Sequence, residues 1–289
     1  MAKLTRRAFT GSVLGAAGLS LGRHALAQDP LGKIKPSVVK GLKIGVQSYT
    51  YRKLSLERMI DSMRTVGISS VELWTGHVDP AKHDEADFKT AREKLAAAGI
   101  TVNAYCVNFR PDATADLLDK AFRGAGLLGT ALMTTSTEKS MVPRLDQWCE
   151  KYKVKIGLHN HWLGDEYMKG REAENFGGPA DYEEALRGRS SRIGINLDIG
   201  HFSAAGHDPV AFFKEQFERI VSLHVKDRDK DEKHTYRRFG QGATPIVEVL
   251  KLARRLHYRY AVNIEYEMDE QDPTDGMRDS FAYVKRALS

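Results

Sequence analysis

Gly194-Ile-Asn-Leu-Asp-Ile-Gly-His201 is the stretch on which the fold turns. Read with a period of two, Ile193, Ile195 and Leu197 fall on one side, and Gly194, Asn196 and Asp198 on the other. A strand with one wet face carries polar residues there, but not usually a glycine and an acid aimed at one point. This pattern fits a strand buried on both sides, with its aliphatic face against helices and its polar face toward an enclosed centre. It closes on an acid and, three residues later, a histidine.

Seven further segments have strand character: Leu42–Ser48, Ser70–Trp74, Ile100–Cys106, Ala131–Thr135, Val154–His161, Ile220–Lys226 and Tyr260–Glu267. Amphipathic helical patterns alternate with them at Ser55–Val66, Asp87–Ala98, Ala113–Leu128, Val142–Tyr152, Asp181–Leu186, Pro209–Glu218, Pro245–Leu256 and Gly276–Leu288. Eight strand–helix units in order predict an α/β fold, a single-domain (β/α)8 TIM barrel. A doubly wound sheet is the alternative, but no dinucleotide-type glycine fingerprint follows the first strand. The segments 162–180 and 227–243 are long for such connections. Both leave C-terminal strand ends, where barrel active sites lie, so they are candidate covering loops or plain surface insertions.

Strands five to eight repeat the opening design. Ile156 and Leu158 face out, leaving Gly157, His159 and His161 inward. Val221, Leu223 and Val225 face out, leaving Ser222, His224 and Lys226. Val262 and Ile264 face out, leaving Asn263, Glu265 and Glu267. Burying such imidazoles and carboxylates without partners costs several kcal/mol each. A divalent cation offsets that cost, and this mixed donor set suits Mn²⁺, Zn²⁺, Fe²⁺ or Co²⁺. A salt-bridge network without a cation is the other reading. Gln47 and Glu72 also point inward. Glu72 is a candidate for binding a substrate hydroxyl, or else a structural partner. Lys226 is a candidate for steadying an acidic substrate or enolate, or else an ion-pair partner of Asp198 or Glu265. Trp162 is a candidate for stacking on a substrate ring, or else a packing residue.

The 289-residue chain has a formal charge of +6, which is misleading as a guide to partners. Residues 1–27 hold four of its 44 basic residues and no acid; the remainder has 40 against 38 acids. That near balance gives little support for nucleic-acid binding, which usually needs a clustered basic face. Cys106 and Cys149 are too few for a disulfide framework and read as packed apolar residues. Thr5-Arg-Arg-Ala-Phe9 resembles the twin-arginine export motif; a weakly apolar run and an Ala25-Leu-Ala27 cleavage pattern follow. The expected organisation is a signal peptide over 1–27, an extension over 28–40 and the barrel over 41–289. The expected location is the periplasm, with no stable membrane anchoring after the signal is removed.

The mature chain resembles the xylose-isomerase-like superfamily, with its ketose 3-epimerases, hydroxypyruvate isomerases, inosose dehydratases and endonuclease IV relatives. The segments carrying the likeness are Gly67-Ile-Ser-Ser-Val-Glu72-Leu, Leu197-Asp-Ile-Gly-His201, Leu223-His-Val-Lys-Asp227 and Ile264-Glu265. The resemblance implies metal-ligand roles for Asp198, His224 and Glu265 and substrate contact for His201. It also implies a fourth ligand where many members carry a glutamate on strand five. This chain has His159 there, so an imidazole replaces one carboxylate of the epimerases' proton relay. Glu267 is the weaker alternative to Glu265. The activity implied is isomerisation or epimerisation of a sugar or keto-sugar. A proton is taken from beside a carbonyl by Glu265 or the His159/His161 pair, and the cation stabilises the enediolate. Elimination of a β-substituent (a lyase, dehydratase or deglycosidase) is the runner-up, followed by a non-catalytic sugar-binding barrel. A nuclease is disfavoured by the near-neutral mature charge and the different metal cluster of endonuclease IV.

Overall fold

The structure is a computed structural model and describes residues 32–172, 176–230 and 233–289. The expected signal peptide, residues 1–27, lies outside them. Lys33–Ser289 forms one compact unit.

Eight parallel strands make the barrel: β1 (Leu42–Gln47), β2 (Ser70–Trp74), β3 (Thr101–Cys106), β4 (Leu132–Thr135), β5 (Lys155–His159), β6 (Ile193–Asp198), β7 (Ile220–Val225) and β8 (Ala261–Ile264). Each pairs with the next, and β8 pairs with β1, so the sheet closes. The helices between them are α1 (Leu56–Val66), α2 (Glu85–Ala97), α3 (Ala115–Leu128), α4 (Val142–Tyr152) and α5 (Pro179–Leu186). They continue with α6 (Ile199–Ala204), α7 (Pro209–Glu215), α8 (Ile246–Arg255) and α9 (Thr274–Leu288). Local chemistry sets several ends. The Ser55 hydroxyl accepts from Arg58 N at the start of α1, and Gly67 takes the left-handed conformation after it. The outward aliphatic residues of the strands, such as Ile44, Ile156, Ile195, Leu197 and Ile264, join the helices in the main apolar core.

The interior is polar. Glu72 is fully buried, and its Oε1 accepts from Gln47 Nε2 and Thr134 Oγ1 at 2.6 Å each. Its Oε2 accepts from Asn263 Nδ2 at 2.9 Å and Ser222 Oγ at 3.0 Å. One carboxylate therefore gathers donors from β1, β4, β7 and β8.

Two local departures from simple alternation matter. Ile195 faces Ile220 while Asn196 faces Ser222, so Val221 is a bulged extra residue. It was expected on the outer face. Its methyl carbons instead stand 3.1 Å from the place of a Cβ on Gly157 and 2.9 Å from that on Gly194, both inward positions. Val221 and Ser222 thus both face in, and His224 recovers the expected direction. Gly194→Ala would place its methyl 2.6 Å from the Arg219 carbonyl oxygen. The expected result is a loss of about 1–3 kcal/mol from overpacking. Urea unfolding measures it, and an unchanged midpoint would mean that the bulge yields freely. The second departure is α6, which starts at Ile199, directly after the last residue of β6. Asp198 caps it: Oδ1 accepts from His201 N at 2.9 Å.

Candidate metal centre and active site

The sheet register sets His159 beside Asn196, and Asp198 beside His224. Asn263 also pairs with His224, so Glu265, two residues on, arrives at the same rim. One ligand atom each from His159, Asp198 and His224 lies within 4.8 Å of the others. His224 Nδ1 faces Glu265 Oε2 at 3.0 Å and Asp198 Oδ2 at 3.9 Å. All four side chains are buried.

Three of these atoms, Asp198 Oδ2, His224 Nδ1 and Glu265 Oε2, are buried without a well-aligned hydrogen bond; their polar neighbours are one another and the Lys226 ammonium, 3.0 Å from each of the two oxygens. Orphans of this kind are costly unless something else satisfies them. They converge, and a cation at their centre would accept a lone pair from each. The outer contacts fit that role. His224 Nε2 stands 3.0 Å from Glu72 Oε1, so it donates there and leaves Nδ1 its lone pair. The Asn196 amide lies 3.2 Å from His159 Nδ1. The amide presents Nδ2 to that ring; rotated by half a turn, its oxygen would take the Nδ1 proton and leave Nε2 free to bind. The residues present therefore fit a divalent cation held by two imidazoles and two carboxylates.

A family model described as a xylose isomerase-like TIM barrel matches residues 60–287. The chain belongs to that family. Its barrel resembles the IolI protein with a bound zinc atom at 17% identity and a TM-score of 0.67, covering 85% of this chain and 98% of that one. A sugar phosphate isomerase/epimerase from Parabacteroides distasonis aligns at 17% identity and TM-score 0.62, covering 84% and 95%. The probable 3-DHS dehydratase AsbF from Bacillus anthracis aligns at 14% and 0.63, covering 83% and 98%. At these identities the structural likenesses show the fold. Among curated proteins the sequence finds no significant match.

In this xylose isomerase-like barrel the electrostatics divide the site. Burial, together with neighbouring imidazoles, holds His159 well below the ordinary histidine range. Burial, His201 and Lys226 do the same to His161, so both rings are neutral bases. Burial opposes charge on His224 as well, but Glu72 and Glu265 outweigh it and raise its pKa to about 10. A cation ligated there displaces that proton. Burial also disfavours the Lys226 ammonium, yet Asp198, Glu265 and Glu267 hold it charged.

A second triplet, His159, His161 and His201, also has ligand atoms within 4.8 Å. It fits a cation poorly because both His201 nitrogens are engaged. Nδ1 lies 3.0 Å from Asp165 Oδ2, and Nε2 lies 3.1 Å from Lys226 Nζ. His161 Nε2 stands 2.9 Å from Ser136 Oγ.

Above the centre opens a cavity of about 190 Å³. His159, His161, His201, His224, Lys226, Glu265 and Glu267 line it, as does Asp165. Glu72, a candidate for substrate contact, does not; it lies beneath His224 as its partner. Trp162 does not line it either. That indole packs edge-on against His234, with the Arg228 guanidinium 5.2 Å from its ring. The aromatic wall is made by Tyr49 and Trp74, which meet edge to face at 5.0 Å. Sequence reading missed them, although Trp74 ends β2 and Tyr49 lies just past β1, positions where barrel sites are built. Gln47, Asn108 and Ser136 add polar groups to the wall. Cys106, expected as a packed apolar residue, belongs to it too, while Cys149 is buried.

The two long connections meet over this cavity. Asp165 and Arg228 form a buried two-pronged pair, Nη1–Oδ2 at 2.9 Å and Nη2–Oδ1 at 2.5 Å. The guanidinium also lies 4.3 Å from the centre of the Tyr236 ring. Asp227 holds the second loop shut on itself, accepting from the backbone of Gly240, Gly242 and Thr244.

Proposed function

We propose that this protein is an exported, divalent-metal-dependent enzyme of the sugar isomerase/epimerase type. The observation that carries the reading is the convergence of Asp198 Oδ2, His224 Nδ1 and Glu265 Oε2, orphaned and buried, beside His159 at the floor of the cavity. A divalent cation there supplies Lewis acidity toward a carbonyl and its neighbouring hydroxyl. The protein's own residues do the remaining work. His161, a neutral imidazole in the wall, and the second oxygen of Glu265 are placed to take and return a carbon-bound proton. Tyr49 and Trp74 offer an apolar face to a sugar ring, and Gln47 and Asn108 offer amides to its hydroxyls. The aligned isomerase/epimerase and zinc-bound barrels agree with this reading. The N-terminal twin-arginine pattern supports residence in the periplasm, and the sugar-processing relatives support a sugar or keto-sugar as substrate.

Elimination is the second reading, and one feature favours it. The cavity wall is chemically mixed, carrying both the neutral imidazoles of His159 and His161 and the Lys226 ammonium. An epimerase returning a proton to either face is served by two matched bases; a lyase is served by a base and an acid for its leaving group.

The test is incubation of the Mn²⁺-, Zn²⁺- or Co²⁺-loaded protein with keto-sugars and keto-glycosides in D2O, followed by NMR. Deuterium beside the carbonyl with a changed sugar supports isomerase/epimerase chemistry. Loss of a substituent supports elimination. Binding without exchange or turnover of any of these would discard the enzyme in favour of a sugar-binding barrel.

A further inference from the structure

Lys226 stands at the end of β7 with its stem laid over Gly200. A Cβ at Gly200 would sit 2.4 Å from Lys226 Cγ and 3.0 Å from its carbonyl oxygen. The ammonium therefore has little freedom in where it reaches. It is almost wholly buried, 2% exposed, yet it lines the cavity. Four acceptors surround Nζ: Asp198 Oδ2 at 3.0 Å, Glu265 Oε2 at 3.0 Å, His201 Nε2 at 3.1 Å and Glu267 Oε1 in a short contact. An ammonium has three protons. The contacts to Asp198 and Glu265 lack the alignment of hydrogen bonds, which is why those two oxygens remain orphans despite the nearby charge. They are also the oxygens that face His224 Nδ1.

We infer that Lys226 and the divalent cation compete for Asp198 and Glu265, and that cation binding ends the electrostatic hold of those carboxylates on the Lys226 ammonium, leaving its charge to a negatively charged substrate oxygen in the cavity. Without the cation, the ammonium neutralises the buried carboxylates. With it, those oxygens are taken, and Lys226 keeps Glu267 and His201 as partners for two of its protons. The third is left for a carboxylate of a sugar acid or an enolate oxygen in the cavity that Lys226 lines. Cation and oxyanion then bind with positive coupling, because the first frees the donor that the second uses. No covalent step is involved.

This inference rests on the cation site proposed above, and calorimetric titration with Mn²⁺ separates the two. A wild-type protein that binds no cation overturns both. If the wild type binds, Lys226→Met is expected to bind Mn²⁺ about tenfold more tightly or better, because a positive charge a few ångströms away and a competing ion pair are both gone. Lys226→Arg is expected to bind no more tightly than the wild type. Unchanged or weaker Mn²⁺ binding by Lys226→Met overturns the inference and leaves the cation site standing. Should Lys226→Met fail to fold, wild-type protein decides. Acetic anhydride labelling of Lys226, read by peptide mass spectrometry, is expected to be several-fold faster with Mn²⁺ than after chelation. Equal or slower labelling overturns the inference.

Discussion

Asp198→Asn is expected to fold normally and to lose its divalent cation. The two carboxylate oxygens of Asp198 serve different ends, which makes this substitution informative. Oδ1 caps α6 through His201 N, and asparagine caps a helix as well as aspartate does. Oδ2 faces the centre, where the substitution removes the negative charge. Replacing an outer partner of a metal ligand typically costs 10–100-fold in affinity, so losing an anionic ligand is expected to cost more than about 100-fold. Glu72→Gln supplies the graded control. Of the four side chains at the centre it meets His224, through Nε2, so its expected loss of cation affinity falls within about 10–100-fold. Metal content after dialysis and calorimetric titration measure both. If Asp198→Asn retains wild-type affinity, the four side chains are a salt-bridge network rather than a metal centre.

The largest expected stability effect lies in the loops. Asp165→Ala leaves the Arg228 guanidinium buried between aromatic rings, with the His234 carbonyl 2.7 Å from Nε and His201 Nδ1 2.9 Å from Nη1 as its remaining polar neighbours. Breaking a buried pair from one side usually costs about 3–5 kcal/mol. The double variant Asp165→Leu/Arg228→Met is expected to recover most of that loss, because no buried charge is left behind. The pair also has a pH signature. Burial would raise the Asp165 pKa, but hydrogen bonds from Arg228 and His201 outweigh it and hold the carboxyl well below the usual range. A depressed folded pKa stabilises above the unfolded value of about 3.9 and loses that stabilisation as pH falls below it. Wild-type stability is therefore expected to decline below about pH 4, and Asp165→Asn to show a flatter acid limb. Chemical unfolding between pH 2.5 and 7 measures both slopes; parallel slopes would remove Asp165 from the account.

The fold was legible because all eight strands carry their aliphatic face in the sequence and the helices between them keep their own period. His159, Asp198, His224 and Glu265 could be read from alternation, and the register brings them to one rim. Alternation failed where it had to. A bulge adds a residue without any local mark, so Val221 was read on the wrong face. Strand β5 ends at His159, so the direction of His161 is set by the chain beyond it rather than by strand parity. The Asp165–Arg228 pair joins residues 63 apart, one on a loop and the other on a two-residue strand paired with Tyr236–Arg237, too short for any periodicity to read. Trp162 was visible as an aromatic at a strand end, but only the folded loops show that it faces Arg228.

Glu72 has a consequence beyond its contact with His224. Donors from four other strands meet on its two oxygens, so it works as the hub of a wheel whose spokes are Gln47, Thr134, Ser222 and Asn263. A wheel cannot change its radius one spoke at a time. The girth of this barrel at that level is a shared property of five strands, and with it the spacing of the rim that carries Asp198, His224 and Glu265.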